Sequence, residues 1–372
     1  MTVSDTKVRK ETARGHAAIP RVSRQTSQLT YRGYPVQELC RRHSFEEVAF
    51  LLWHGELPTR EQVLAQNRAE RPQRALDPDL AAALAGQPFS ARPIDTVRRA
   101  VSTLGAKAPA ERDITPAAIH AEALRLFAVL PSLVAFEQRR RHGLGAVAPR
   151  DDLGYAANFL YMTFGKVPEP QIVAAFERSL ILHAGDSFSA SASAARAGTA
   201  GLSGLYNTVA AAVGTLKGNA HAGAIETVME TMNEVAIPDN ARSWLEEALA
   251  KGQCIAGFDP GNTKTGDARV PAMRSALGMV AAIRGGQHLI ETYEALATAV
   301  YEAKGLRPNL SYPTGIAYHL TGFDSEMFAP VLVAARLPGW TAQGADQVTA
   351  NSIAWPRVAY DDQAGSHLAG EG

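Results

Sequence analysis

The chain has 372 residues, 46% of them hydrophobic, and its formal net charge is zero. This composition predicts a globular chain with enough apolar material for a large core, in one domain or two. A neutral balance argues against nucleic acid as the main partner, because phosphate binding needs a basic excess. No apolar segment marks a signal peptide and no apolar run reaches bilayer length, so we expect no membrane partner and a cytoplasmic location.

The chain has only two cysteines, Cys40 and Cys254. Two cysteines this far apart do not form the framework of a small disulfide-rich protein. We expect both to be buried small residues in a reducing compartment.

Helical patterns dominate from the first third of the chain onward, and alternating strand patterns are scarce. The stretch "SQLTYRGYPVQEL" predicts a short hairpin near the N-terminus. In "SFEEVAFLLWHGELPT", Ser44 and Glu47 have the spacing of a capping box and Gly55 marks the end of the helix. Thr59 and Gln62 repeat the same spacing, so a second helix is expected there.

Three further segments complete the prediction of an all-α fold. "AAIHAEALRLFAVLPSLVAFEQRRR" predicts one long apolar helix with Pro131 as a candidate kink. "DSEMFAPVLVAARL" predicts a helix that opens at Asp324, and Pro338 after it is expected to stiffen a loop. Residues 185–218 are rich in Ala, Ser and Gly; we interpret them as closely packed helices rather than as a low-complexity linker.

His221 is the first residue with a specific chemical role to consider. Apolar residues recur at helical spacing in "AIETVMETMNEV", so His221 precedes a helix N-terminus, after a Gly-Asn turn. The helix dipole there disfavours imidazolium and leaves a neutral histidine able to donate a hydrogen bond to an oxyanion. The alternative is a histidine that only caps the helix or fills the core.

The stretch "GQCIAGFDPGNTKTGDARVP", residues 252–271, is the second candidate. It is not a calcium loop, because Asp259, Gly261 and Asn262 lack the alternating carboxylate pattern. It is not a Walker loop either, because Lys264 lacks the GK[ST] context. The remaining interpretation is a glycine-rich loop whose backbone N–H groups hold an anion, with Lys264 and Arg269 nearby. No metal site is predicted.

Several motifs in one order resemble the citrate synthase family, most closely its bacterial 2-methylcitrate synthase-like branch. They include "LTYRGYPVQEL", "LGYAANFLYMTFGKVPEP", "GTLKGNAHAGAIETVMETMNEV" and "KGLRPNLSYPTGIAYHLTGFDSEMFAPVLVAARLPGW", and they extend over about residues 28 to 358. The resemblance implies an almost entirely α-helical homodimer of two-domain subunits. Residues 1–27 would form a tail, 28–221 and 317–372 the large domain, and 222–316 the inserted small domain.

The same resemblance implies roles for individual residues. His221 matches the histidine that stabilises the enol of an acyl-CoA thioester. Arg269 in "GDAR" and Arg336 in "AARLPGW" match arginines that hold the keto acid. Lys264 matches a lysine near the CoA phosphates, and Asp259 and Gly261 would lie in the same CoA loop.

Five positions depart from the family pattern. Asp186 in "LILHAGDSF" takes the place of a keto-acid histidine, and His183, three residues earlier, lies about 300° away on an ideal helix and is a poor substitute. Pro260 stands in place of the carbonyl-polarising histidine, and Gly261 in place of the arginine that follows it. Ser311 takes the place of the catalytic aspartate, and Trp355 that of an arginine from the partner subunit.

These departures predict a changed activity on a family scaffold. A serine cannot replace a carboxylate base without a partner, and Asp186 would repel oxaloacetate. We expect a C–C bond-forming enzyme that acts through an enolate on an acyl-CoA, with an altered acceptor, no tightly bound cofactor, and Asp186 or Asp259 as the base. The alternatives are a non-catalytic homologue, which binds an acid or an acyl-CoA or regulates a synthase subunit, and an enolate-using lyase or cyclase.

Overall fold

The computed structural model describes residues 21–22, 29–108, 115–185, 189–200, 204–218, 222–258 and 266–349. Within these residues sixteen α-helices and one three-stranded sheet are present, which confirms the prediction of an almost entirely helical chain. The helices of the first half are α1 (Val36–Arg42), α2 (Phe45–His54), α3 (Arg60–Glu70), α4 (Pro78–Ala85), α5 (Pro93–Ala106), α6 (Pro116–Arg141), α7 (Tyr155–Phe164) and α8 (Pro170–His183). Those of the second half are α9 (Ala190–Ala200), α10 (Leu205–Leu216), α11 (Ala222–Val235), α12 (Ala241–Ala250), α13 (Val270–Arg284), α14 (Gln287–Lys304), α15 (Ser311–Thr321) and α16 (Phe328–Thr349).

The predicted hairpin near the N-terminus is confirmed. Strand β2 (Leu29–Tyr31) pairs antiparallel with β3 (Tyr34–Pro35), and β1 (Arg21–Val22) pairs with the other edge of β2. Arg32 and Gly33 form the turn with φ values of 49° and 91°. Both central residues of the turn therefore have the positive φ that a type I′ hairpin requires.

Both predicted capping boxes are present. Ser44 accepts a hydrogen bond from the backbone N–H of Glu47, whose carboxylate accepts one in return from the N–H of Ser44. Thr59 and Gln62 form the same reciprocal pair at the start of α3. Gly55 ends α2 in the left-handed conformation with φ 86°. These helix ends are set by local sequence, which is why their spacing predicts them correctly.

Helix α16 is the central element of the fold, since it contacts α2, α5, α6, α8, α9, α10 and α11. Residues 328–342 are all buried. The helix begins later than expected: a short 3₁₀ turn (Ser325–Met327) follows Asp324, whose carboxylate bonds to Gln138 and His142. The prediction that Pro338 lies in a loop is wrong, because α16 continues through it.

Helix α6 is the one helix in the described ranges that is long and apolar enough to cross a bilayer. Its most apolar window is 78% buried inside the protein, chiefly against α16 and α7, as in a core helix. Pro131, predicted as a kink, lies inside this continuous helix and is itself buried.

The small residues of α9 and α10 allow the two helices to approach closely, as predicted. A Cβ added at Gly198 would lie 3.0 Å from Thr208 Oγ1 and 3.1 Å from its Cα. The backbone of α9 therefore rests directly on α10, an approach that a larger residue at position 198 would prevent.

The two cysteines differ in exposure. Cys40 is buried in α1, as predicted, and burial raises the pKa of its thiol to about 12. The prediction for Cys254 is wrong, because this residue is exposed in the connection that follows α12. Both thiols are free.

Glu177 on α8 is a half-buried carboxyl with a raised pKa. Its Oε1 accepts a hydrogen bond from the backbone N–H of Phe45, at 3.2 Å. Burial, together with the neighbouring charge of Glu46, raises its pKa to about 7. The protonated form is thus favoured in the folded protein, and its contribution to stability is lost as pH rises from about 4.5 through 7.

We therefore expect Glu177→Gln to flatten the fall in stability across this pH range. Glutamine keeps the acceptor for the N–H of Phe45 and carries no charge. At pH 8 the free energy of unfolding of the variant should therefore be roughly 1–2 kcal/mol higher than that of the parent protein. Urea unfolding of both proteins from pH 4.5 to 8 measures the difference. Parallel pH profiles would contradict the assignment, and Glu169→Gln, at a more exposed residue at the start of the same helix, is the control.

Candidate functional site

The C-terminal end of α8 is held in place by the N-terminal hairpin. The buried Tyr31 hydroxyl donates to the carbonyls of Ile181 and Leu182, at 3.0 and 3.2 Å, and accepts from the N–H of Gly185, at 3.1 Å. A Cβ at Gly185 would lie 2.5 Å from the Tyr31 ring. Gly339 of α16 closes the other side, since a Cβ there would lie 2.1 Å from the carbonyl oxygen of Ala184. Residues 183–185 are therefore fixed from two sides.

His183 is the last residue of α8 and is only 2% exposed. Its Nε2 lies 3.2 Å from the hydroxyl of Thr314 on α15. Its Nδ1 is buried and makes no hydrogen bond to any of the described residues. Burial, reinforced by the charges of Arg336 and Arg269, holds the pKa of His183 well below its usual range, so the imidazole is neutral.

Arg269 comes just before α13 and is fixed by a carboxylate two residues earlier. Its Nε and Nη2 donate to the two oxygens of Asp267 at 2.9 and 2.7 Å, and its backbone N–H donates to the same carboxylate. Burial alone would raise the pKa of Asp267, but Arg269 outweighs it and holds that pKa below its usual value. The pair is therefore ionised, and the guanidinium has a defined orientation.

Arg336 lies in the buried middle of α16 and is 9% exposed. Its Nη1 donates to the hydroxyl of Ser191 at the start of α9, at 3.2 Å. The Ser191 hydroxyl lies 3.1 Å from that of Ser189, which also accepts from the N–H of Ala192. The first turn of α9 thereby supports the arginine with two small hydroxyl residues.

Ser311 begins α15 and is half-buried. Its backbone N–H donates to the side chain of Asn309, whose own N–H bonds to the carbonyl of Gly257, at 2.8 Å. The start of the glycine-rich segment is therefore held beside α15, and a Cβ at Gly257 would lie 2.6 Å from Tyr312. Ser311 and Thr314 are one turn apart and share a face of the helix.

Five helices bring these side chains together. Helix α13 contacts α8 and α15, and α16 contacts α8 and α9. The charges of both arginines lower the pKa of His183, so the three groups are close enough to interact electrostatically, and we refer to them as one electrostatic unit. Two cations beside a neutral, buried histidine suit a bound carboxylate.

The structure describes three of the residues assigned to the site from the sequence. Arg269 and Arg336 belong to the unit around His183, and Ser311 lies one turn from Thr314. The others lie outside the described residues: His221, Asp186, Trp355, Lys264, Asp259 and Gly261. The helix predicted after His221 does begin at Ala222, and its predicted apolar positions from Ile225 to Val235 are buried.

Sequence reasoning did not select Asp267, Thr314 or Ser191. Asp267 has a recognisable signal, since a carboxylate two residues before Arg269 can pair with it directly. Thr314 and Ser191 have no such signal, because each acts through a contact more than 130 residues away along the chain. No group of three metal-ligating side chains is found in the part of the chain that the structure describes.

Comparisons with known proteins give a consistent result. A family model described as citrate synthase, C-terminal domain, matches residues 9–357. A 2-methylcitrate synthase of Mycobacterium tuberculosis is 48% identical over 343 residues, which cover 92% of this chain and 87% of that protein. A citrate synthase of Mycolicibacterium smegmatis is 46% identical, with 93% and 92% covered. The crystal structure of citrate synthase from Thermotoga maritima superposes with a TM-score of 0.85 at 26% identity, and 98% of each chain is covered.

Proposed function

The chain belongs to the citrate synthase family, and from that premise we propose that it is a C–C bond-forming transferase that acts through an enolate. Its donor would be an acyl-CoA thioester, which is a substrate rather than a tightly bound cofactor. Its acceptor would be a carboxylic acid other than oxaloacetate. The proposal extends to a homodimer, to a cytoplasmic location, and to a small domain at residues 222–316 inserted into the large one.

The observation that carries this proposal is the unit of His183, Arg269 and Arg336. Asp267 orients the half-buried Arg269 guanidinium, and Ser191 contacts that of Arg336. Both cations are therefore held in fixed positions from which they could bind a carboxylate of the acceptor. Because the unit lies against α15, a bound acid would be within reach of the helix start where Ser311 stands.

The altered acceptor follows from the residues that differ from the family pattern. Ser311 has no hydrogen bond to a basic side chain among the described residues, so nothing there activates its hydroxyl. Asp186 in place of a histidine would repel the second carboxylate of oxaloacetate. Both differences weigh against the usual base and the usual dicarboxylate, while the two arginines still favour an acid.

The proposed reaction proceeds in three steps: deprotonation of the thioester, formation of the C–C bond, and hydrolysis of the thioester. Asp186 or Asp259 removes the α-proton of the thioester, and His221 donates a hydrogen bond to the enolate oxygen. The enolate carbon attacks a carbonyl carbon of the acceptor, whose oxygen takes the π electron pair and then a proton. Water hydrolyses the thioester and releases free CoA.

Release of CoA from acetyl-CoA and propionyl-CoA with a panel of acceptor acids tests this function. A thiol reagent detects the product, and because Cys254 is exposed, Cys254→Ser supplies a background without that reaction. We expect turnover with an acid other than oxaloacetate. Fastest turnover with oxaloacetate would show an ordinary synthase and overturn the altered acceptor.

A second candidate function is supported by Ser311 alone. A serine that has no activating side chain among the described residues, at the position that the resemblance assigns to the family base, is compatible with a protein that binds the acid and does not turn it over. Absence of CoA release with every acceptor, together with measurable binding of an acid, would favour this non-catalytic homologue.

A further inference from the structure

The hydrogen bonds around Thr314 define the tautomer of His183. The Thr314 hydroxyl has one proton and lies 2.7 Å from the carbonyl of Leu310, one helical turn earlier, which can only accept it. Towards His183 the same oxygen must therefore act as the acceptor. Nε2 of His183 carries the ring proton and donates it to Thr314, so Nδ1 carries a lone pair.

The lone pair of Nδ1 has no donor among the described residues. His183 is almost completely buried, so bulk water does not compensate the atom. A buried acceptor without a partner is costly in a folded protein, and such atoms commonly mark a functional site. The charges of Arg269 and Arg336, the side chains proposed to hold the acid, lower the pKa of the same ring, so the ring is near both arginines.

Protonation does not remove this requirement. Burial and the two guanidinium charges lower the pKa of His183, so the ring stays neutral at physiological pH. A group that meets Nδ1 must then be a donor. An oxo group has no proton to give, whereas a hydroxyl group has one; an ammonium group also has protons, but the two nearby arginines oppose its charge.

We propose that His183 is a specificity-determining residue whose Nδ1 accepts a hydrogen bond from a hydroxyl group of the bound acid. The site thereby prefers a hydroxy acid to the oxo acid of the same carbon skeleton. This inference rests on the proposed function only in that Arg269 and Arg336 hold the carboxylate. A true acceptor would carry this hydroxyl group in addition to a ketone or aldehyde that the enolate attacks, so the simple hydroxy acids used below probe the contact with Nδ1 and are not themselves acceptors.

Two substitutions separate the two nitrogens of His183. The amide of glutamine replaces Nε2 and keeps the donor to Thr314, whereas the amide oxygen of asparagine replaces Nδ1 and keeps the acceptor. Calorimetry would compare three pairs, lactate with pyruvate, malate with oxaloacetate, and 2-hydroxyglutarate with 2-oxoglutarate. The amino acids alanine, aspartate and glutamate complete the panel.

We expect the wild-type protein to bind at least one hydroxy acid about fivefold to tenfold more tightly than its oxo partner. His183→Gln should reduce this ratio to about one, and His183→Asn should retain most of it. An unchanged ratio in His183→Gln, a preference for the oxo or the amino acid, or no binding of any acid at millimolar concentration would overturn the proposal.

A second measurement on the wild-type protein does not depend on the folding of the variants. The nitrogen NMR signal of Nδ1 in isotope-labelled protein should move when the hydroxy acid binds and not when the oxo acid binds. Identical shifts with both would contradict the assignment. If the protein prefers the hydroxy acid but releases no CoA with any acceptor, this inference stands and the proposed enzyme activity is refuted. If it releases CoA but shows no preference for a hydroxy acid, the enzyme activity stands and this inference is refuted.

Discussion

Arg74→Ala is expected to lower the free energy of unfolding by about 3–5 kcal/mol. Arg74 and Glu70 are 2% and 1% exposed, and the guanidinium Nε lies 2.8 and 3.0 Å from the two carboxylate oxygens. Arg74 also donates to the carbonyls of Arg150 and Leu153, at 3.1 and 2.9 Å. Removing it leaves a buried carboxylate and two backbone carbonyls without their donor.

The cost arises from the partner left behind rather than from the attraction of the pair. Burial raises the pKa of Glu70 even with Arg74 in place, so desolvation of the carboxylate outweighs the favourable contact. The double variant Arg74→Met with Glu70→Leu removes both charges and keeps most of the volume. We expect it to lose clearly less stability than Arg74→Ala alone.

Urea unfolding followed by circular dichroism measures both variants. Arg42→Ala, at an exposed arginine that ends α1, controls for the loss of an arginine at the surface and should change stability by less than about 0.5 kcal/mol. Equal losses in the single and the double variant would show that packing volume, not an unpaired charge, accounts for the effect.

The accuracy of the sequence predictions follows the range of the interactions involved. Capping boxes at Ser44 and Thr59 and the turn at Arg32 depend on residues within four positions, and all were predicted correctly. Pro338 and Cys254 were misplaced, because the continuation of α16 and the exposure after α12 are decided by tertiary contacts. The buried pair of Glu70 and Arg74 has the spacing of an ordinary surface ion pair, so sequence alone does not reveal its burial.

His183 shows why the site could be predicted only in part. On an ideal helix His183 would lie about 300° from position 186, but α8 ends at His183, so that angle does not apply. The tautomer of His183 depends on Thr314, and its neutrality depends on Arg269 and Arg336, which are far away along the chain. The family resemblance assigns the two arginines to the site, but no local pattern predicts their neighbours.

Loss of the base that acts on the thioester should have the largest effect on activity. If Asp186 removes the α-proton, Asp186→Asn should lower exchange of that proton with deuterated water by about 100-fold to 10,000-fold. Asp259→Asn should do so if that residue is the base. Proton NMR of acetyl-CoA or propionyl-CoA incubated with each variant measures the exchange, and it needs no knowledge of the acceptor.

Ser311→Asp can then be added to whichever variant, Asp186→Asn or Asp259→Asn, has lost proton exchange. This double variant tests whether a carboxylate at position 311 can still remove the α-proton of the thioester. Position 311 begins α15 one turn before Thr314, which contacts His183, so a carboxylate there would lie on the same helix face as that contact. The helix N-terminus would favour its ionised form. We expect Ser311→Asp to restore exchange by at least about tenfold, whereas Ser311→Asn, of equal size and without a base, should not.

Rescue would mean that the thioester still lies against the start of α15 and that only the base has changed position. If the proposed divergence is right, condensation with oxaloacetate should nevertheless stay low in the rescued variant, because Asp186 and Pro260 would then stand where the family resemblance implies two histidines that hold and polarise that acid. If none of these variants alters the exchange of the α-proton, the acyl-CoA does not lie at this site, and the enolate proposal is contradicted. Restored condensation with oxaloacetate would instead show that the base alone separates this chain from an ordinary synthase.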